Sequence, residues 1–256
     1  MAINTVTIVF RLLAILAGVL IGIFAFQIYT LSKGGLKGWK YIAIYGGFLC
    51  FWAVSALITK LIGVTVLERI TGIIGLLGMA VFVPYSYAKM TDELNLKPSW
   101  FTAKISLGST AAVFLLLLVL NVFKPTFLEY PLDKLLSISH FTLAITLVFA
   151  LIPLYVLSKN IKKSSWILAT IATVVIFSSL MIGQHYDGCC AKEGELEDND
   201  SLCGDYDLPY VQVTDAPCFE PIVNFGKMYQ AYLTVGVLLL AGSFYQLSRG
   251  FKQITN

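Results

Sequence analysis

The sequence predicts an all-α polytopic transmembrane bundle of seven helices, with its N-terminus outside, its C-terminus inside and one disulfide-stapled outer loop. Three observations predict it. Of 256 residues, 57% are hydrophobic and 13% charged, with a mean hydropathy of +0.79, whereas a soluble domain carries roughly 25% charged residues. The apolar residues fall into runs of about 20, the length that crosses a hydrocarbon core about 30 Å thick. The basic residues are biased toward alternate connectors, as cytoplasmic loops require. A chain this apolar, with no basic tract longer than two residues, is not disordered, not a coiled coil and not a nucleic-acid-binding protein.

The first run, 7–31, is too long for a signal-peptide core of roughly 7–15 residues, and neither a basic leader nor a clear small-residue cleavage site precedes Ser32. It reads as a retained helix, and Ala14, Gly18 and Gly22 place small residues on one face, as close helix packing in a membrane requires. The runs 41–59 and 70–88 are separated by a fairly apolar connector. Fusing them would bury Lys60, Glu68 and Arg69, at a few kcal/mol each, so two helices are preferred. The runs 105–123, 135–157, 164–184 and 229–248 complete the seven, leaving 185–227 as a long acidic, cysteine-rich extracytoplasmic loop.

Orientation follows from the cations. With the N-terminus outside, eleven Lys and Arg lie in inner segments and seven in outer ones, two of those in the long loop, where charge has little topogenic weight. Trp39, Tyr41, Tyr85, Tyr87, Trp100, Phe101, Tyr155 and Trp166 would form the inner interfacial belt. The expected location is the cell membrane, with the lipid bilayer as first partner.

The outer loop collects most of the side-chain chemistry. Ten of the fifteen acids lie between Asp187 and Glu220. Four of the five cysteines, Cys189, Cys190, Cys203 and Cys218, lie there too. An even set on an oxidising face reads as two disulfides, and the strain of bridging adjacent residues sends Cys189 and Cys190 each to Cys203 or Cys218. A thiolate metal site is the competing reading, but the cysteine spacing lacks the paired C-x2-4-C pattern. Glu193, Glu195, Glu197, Asp198, Asp200, Asp205 and Asp207 fail the EF-hand pattern, since Leu202 stands at the next ligand position after Asp200. They read as a solvated acidic surface able to steer a cationic partner, and Asn199-Asp200-Ser201 is a glycosylation sequon.

The two histidines, His140 and His185, both fall near the outer face. Facing imidazoles could hold a haem iron, and His140, His185 and Asp187 could form a small metal site. The simpler reading of each is an interfacial hydrogen bond, so haem or metal is possible but not favoured. Inside the helices the polar groups are mainly Gln27 and hydroxyls, which can bond to their own helix backbone. They form no proton relay. Pro84 and Pro153 interrupt the third and fifth spans and can kink them.

Seven helices of this sidedness are also found in retinal proteins and hormone-type receptors. The run 229–248 has no lysine to hold retinal, and Tyr85-Ser86-Tyr87 stands where a receptor's acidic-Arg pair would end the third helix. No constellation of nucleophile, base and orienting group is visible. The expectation is a non-enzymatic sensor or accessory subunit of a membrane complex, recognising a ligand or a partner through its acidic loop. The alternatives are a haem- or metal-binding redox membrane protein using His140 and His185, and a small-solute permease.

Overall fold

The computed structural model describes residues 5–62, 64–96, 100–129, 131–161, 164–194 and 219–255, with backbone alone at 5–7, 60–61, 65, 126, 129, 183–194, 219–228 and 254–255. Their regular elements are all helices, with no strand among the described residues. The elements are α1 (Thr5–Leu31), α2 (Gly38–Ile62), α3 (Thr65–Glu93), α4 (Ala103–Val122), the single turn α5 (Thr126–Glu129), α6 (Pro131–Ile161), α7 (Ser164–Gly194) and α8 (Phe219–Thr255). All but α5 contain a stretch long and apolar enough to cross a membrane, as the run lengths predict. The chain is a multi-pass membrane protein by length and composition.

Helix ends follow local chemistry. Lys33 and Gly34 turn into the left-handed region, with φ 51° and 75°, which Gly34 adopts without a Cβ penalty. Asn95, at φ 50°, turns the chain after α3, a conformation asparagine tolerates better than most residues. Thr102 caps α4 by accepting from the Ile105 N–H at 3.4 Å. α7 and α8 extend about ten residues further into 185–227 than the apolar runs indicate. Hydropathy marks the lipid-solvated part of a helix, and a polar extension carries no such mark.

Packing order defines the architecture. The helices α1, α2, α3, α6, α7 and α8 each contact the next in that order, and α8 returns to α1, closing a six-helix ring. α4 stands outside it, against α3 and α6. The small-residue face of α1 makes the closest approach, since Gly18 and Gly22 pack on Gly46 of α2. The opposite face of α1, with Leu12, Leu16, Val19, Ile23 and Phe26, is exposed, as a lipid-facing stripe is.

Four of the aromatics assigned to an interfacial belt belong to the interior. Trp39 and Trp166 are 1% and 3% exposed, and Tyr87 and Phe101 are also buried. Trp39 of α2 packs on Trp166 of α7 and on Phe244 and Phe251 of α8, with ring centroids 5.8, 5.6 and 6.5 Å apart. These side chains meet across the ring and plug one end of its axis. Composition cannot separate a Trp at a lipid interface from one in a core, because the same amphipathic ring suits both. Trp100 and Tyr155 remain exposed, as a belt requires.

Candidate functional site

Side-chain register explains how the other end of the axis is lined. Along α1, Arg11 precedes the inward Ala14 and Gly18 by three and seven residues, so helical periodicity puts it on the same face. Along α2, Trp52, Leu49 and Tyr45 share one face. On α6, His140 stands one and two turns ahead of Leu143 and Leu147, and on α8 Tyr229 stands ahead of Leu233 and Val237. With Leu76 and Met79 of α3 and Ile176 and Leu180 of α7, the aromatic and aliphatic residues of these stripes enclose an axial cavity of about 20 Å³. That is room for about one water molecule.

Arg11 touches one wall of this chamber, and His140 precedes the lining residue Leu143 by one turn. The Arg11 guanidinium lies 4.3 Å from the centroid of the Trp52 ring, and Trp52 is itself a chamber wall. This contact turns the cation toward α2. Among the described residues no carboxylate pairs with it. A cation–π contact contributes about 0.5–2 kcal/mol depending on desolvation, less than an inward cation costs without further polar company.

His140 is set by its own helix. Its Nδ1 lies 3.1 Å from the Leu136 carbonyl oxygen, and a carbonyl can only accept, so Nδ1 carries the hydrogen. In the neutral ring Nε2 then keeps a lone pair. At the rim, Arg69 of α3 pairs with Asp133 of α6 at 2.5 Å, tying two helices together near the same end.

Several hydroxyls of the spans are turned back on the backbone, whereas Ser248 of α8 donates to Gln27 Oε1 of α1 at 3.0 Å. Thr142 donates to the Ile138 carbonyl, Thr146 to Leu143, Thr173 to Ala169, and Ser179 to Ile176, all within 3.0 Å. Pro84 and Pro153 are buried within α3 and α6.

No protein-family model, curated protein or solved structure matches this chain. Its chemistry rests on the residues alone.

Of the residues singled out by sequence, His140 lies in α6 one turn ahead of the cavity-lining Leu143. The side chains of His185, Asp187, Cys189, Cys190 and Glu193 lie outside the described residues, as do Glu195, Glu197, Asp198, Asn199, Asp200, Cys203, Asp205, Asp207 and Cys218 altogether. Among the described residues, no three His, Cys, Asp or Glu gather as metal ligands. Arg11, Trp52, Tyr45 and Tyr229 were not anticipated as site residues. The signal for Arg11 was available, since it extends the Ala14, Gly18 and Gly22 stripe by one turn.

Proposed function

We propose that this chain is a membrane sensor or accessory subunit that receives a ligand or partner at one face of the bundle and does not pass it through. The supporting observation is the blind axis: a small apolar chamber with the Arg11 cation against its Trp52 wall, and the Trp39, Trp166 and Phe244 plug at the other end. α7 ends and α8 begins on the Arg11 side, so the connecting acidic segment leaves and re-enters the bundle there. In this reading the N-terminus is outside, the C-terminus is inside, and the segment is extracytoplasmic and stapled by two disulfides among Cys189, Cys190, Cys203 and Cys218. Glu193, Glu195, Glu197, Asp198, Asp200, Asp205 and Asp207 steer a cationic partner.

Purification from native membranes tests this reading. A companion at constant stoichiometry is expected, with capture that weakens as salt rises. Replacing the seven acids with amides should weaken capture and flatten its salt dependence. Unchanged capture at low salt rejects the steering role.

A second reading has one observation in its favour. A histidine whose Nδ1–H donates to a backbone carbonyl is oriented as metal-ligating histidines commonly are, and His140 has that arrangement. A visible absorption band, or metal at unit stoichiometry that is lost in His140→Ala, would favour the redox reading over the sensor.

A further inference from the structure

We propose that the outer wall of the ring, where α2 and α3 meet, holds one anionic diacyl phospholipid, with an acyl chain in a groove between the two helices and the phosphate at Lys40. The inference needs the chain to lie in a bilayer and does not depend on the sensor reading.

The groove has a volume of about 380 Å³, opens outward, and is lined by Ile44, Gly47, Phe48 and Phe51 of α2 and Ile74 of α3. All five are apolar, so inside a bilayer the fitting occupant is a hydrocarbon chain. Its depth comes from a missing side chain, since a Cβ on Gly47 would meet nothing within 4 Å. Phe51, one turn further along, is exposed beside that notch. Phe48 is held in place by stacking on Phe82 of α3, with ring centroids 5.5 Å apart. The space lies in the range of roughly 300–1,000 Å³ that small-molecule sites occupy.

Helical register gives the groove a charged end. Lys40, Ile44, Gly47 and Phe51 stand at i, i+4, i+7 and i+11 along α2, so Lys40 heads the same stripe one turn before the lining residues begin. That is about 6 Å along the axis. Beside it, Tyr41 meets Tyr85 of α3 edge to face, with centroids 4.8 Å apart, as rings at headgroup depth do. Lys40 is exposed, and among the described residues no carboxylate pairs with it. Glu93, which reaches this end of α2, is engaged by the Gly38 N–H at 3.1 Å and by Lys89 at 3.7 Å. A lysine above an apolar groove matches a phosphate above its acyl chain. A net negative headgroup is preferred, because a zwitterionic one carries its own cation. With the N-terminus outside, this end faces the cytoplasmic leaflet, where anionic lipids lie.

The test titrates the full chain in detergent micelles with phosphatidylglycerol or phosphatidylcholine of identical acyl chains and counts retained lipid by non-denaturing mass spectrometry. One phosphatidylglycerol per chain should be retained, about fivefold more tightly than phosphatidylcholine, the scale of one lysine acting on an anionic lipid. Lys40→Gln should remove that preference and leave phosphatidylcholine unchanged, and Lys40→Arg should keep it. Lys104→Gln, at an exposed cation of α4, should have no effect. Gly47→Leu fills the notch and should weaken both lipids. A phosphatidylglycerol with a photoreactive acyl chain should label α2 and α3 around Phe51 and Ile74. Equal retention of the two lipids, a preference that survives Lys40→Gln, or label elsewhere on the chain overturns the proposal. So does retention indifferent to Gly47→Leu in a variant that keeps its helical circular dichroism. A dimer mass that Gly47→Leu abolishes would give the groove to a second copy of the chain and overturn it too. Lipid retention by the isolated protein is independent of partner capture, so either can fail while the other stands.

Discussion

Gly18 of α1 and Gly46 of α2 meet backbone to backbone: a Cβ on Gly46 would stand 2.7 Å from the Gly18 carbonyl oxygen, and one on Gly18 would stand 2.9 Å from that of Gly46. Neither distance can be relieved by moving a side chain, so a methyl group at either position must push the helices apart. Gly47, the next residue, has open space where its Cβ would go. Gly46→Ala is therefore expected to destabilise by about 1–3 kcal/mol, as overpacking does. Gly47→Ala should be neutral or stabilising by up to about 1 kcal/mol, through helix propensity. Thermal unfolding in one detergent compares the two, and equal midpoints would reject the close crossing as a determinant of the ring.

The spans were legible because lipid imposes a length and a polarity on each of them independently of its neighbours. The Ala14, Gly18 and Gly22 stripe was legible for a related reason, since close packing needs small residues at helical spacing. Ring closure was not. That α8 returns to α1, and that α4 is left outside, depends on which faces meet, and apolar faces are nearly alike in composition. Arg11 counts in the sequence as a cation near a membrane surface, and only its position over Trp52 turns it into part of a site. Trp39 was misplaced at the interface because its burial depends on α7 and α8 arriving from far along the chain.

Ser106 faces the opposite problem from the other hydroxyls. It is fully buried in α4, and its Oγ is the one buried side-chain polar atom among the described residues without a hydrogen-bond partner. A buried polar group that makes no bond keeps its desolvation cost. Ser106→Ala should leave stability unchanged or raise it by about 1 kcal/mol. A clear fall in the unfolding midpoint would show that the hydroxyl has a partner.

Two adjacent carboxylates at the end of α3 hold the starts of two other helices. Glu93 Oε2 accepts from the Gly38 N–H at 3.1 Å, and Asp92 Oδ2 accepts from the Ala103 N–H at 2.9 Å. These N–H groups open α2 and α4, where the helix has no acceptor of its own to offer. Glu93→Ala should cost about 1–2 kcal/mol, in the range of a lost cap. Asp92→Ala should act more locally, because α4 lies outside the ring, and accelerate hydrogen exchange at Ala103–Ser106 while α1 and α2 keep their protection. Uniform acceleration across the bundle would mean that α4 is not a separable element.

The Trp39 plug and the exposed Trp100 make an internal comparison. Trp39 touches rings from two helices across the axis, whereas Trp100 is 60% exposed and packs edge-on to Phe101. Trp39→Ala should cost about 3–5 kcal/mol, as removal of a large core aromatic does. Trp100→Ala should cost about 1 kcal/mol or less, the scale of one aromatic pair. Similar losses for both would place Trp39 at an interface and not on the axis.

Cysteine chemistry tests the stapled loop and the orientation together. Cys50 is half-buried in α2, with its Sγ donating to the Ile15 carbonyl at 3.4 Å, and it is a free thiol. If Cys189, Cys190, Cys203 and Cys218 form two disulfides, unfolding in an alkylating reagent without reductant should label one thiol per chain, at Cys50. Reduction first should label five. In sealed, right-side-out vesicles, a membrane-impermeant maleimide applied after an impermeant reductant should reach the four loop cysteines and leave Cys50 unmodified. Five labels without reductant would remove the staples. Labelling that needs the vesicles to be opened would reverse the orientation and move the loop to the inner face, where disulfides are not maintained.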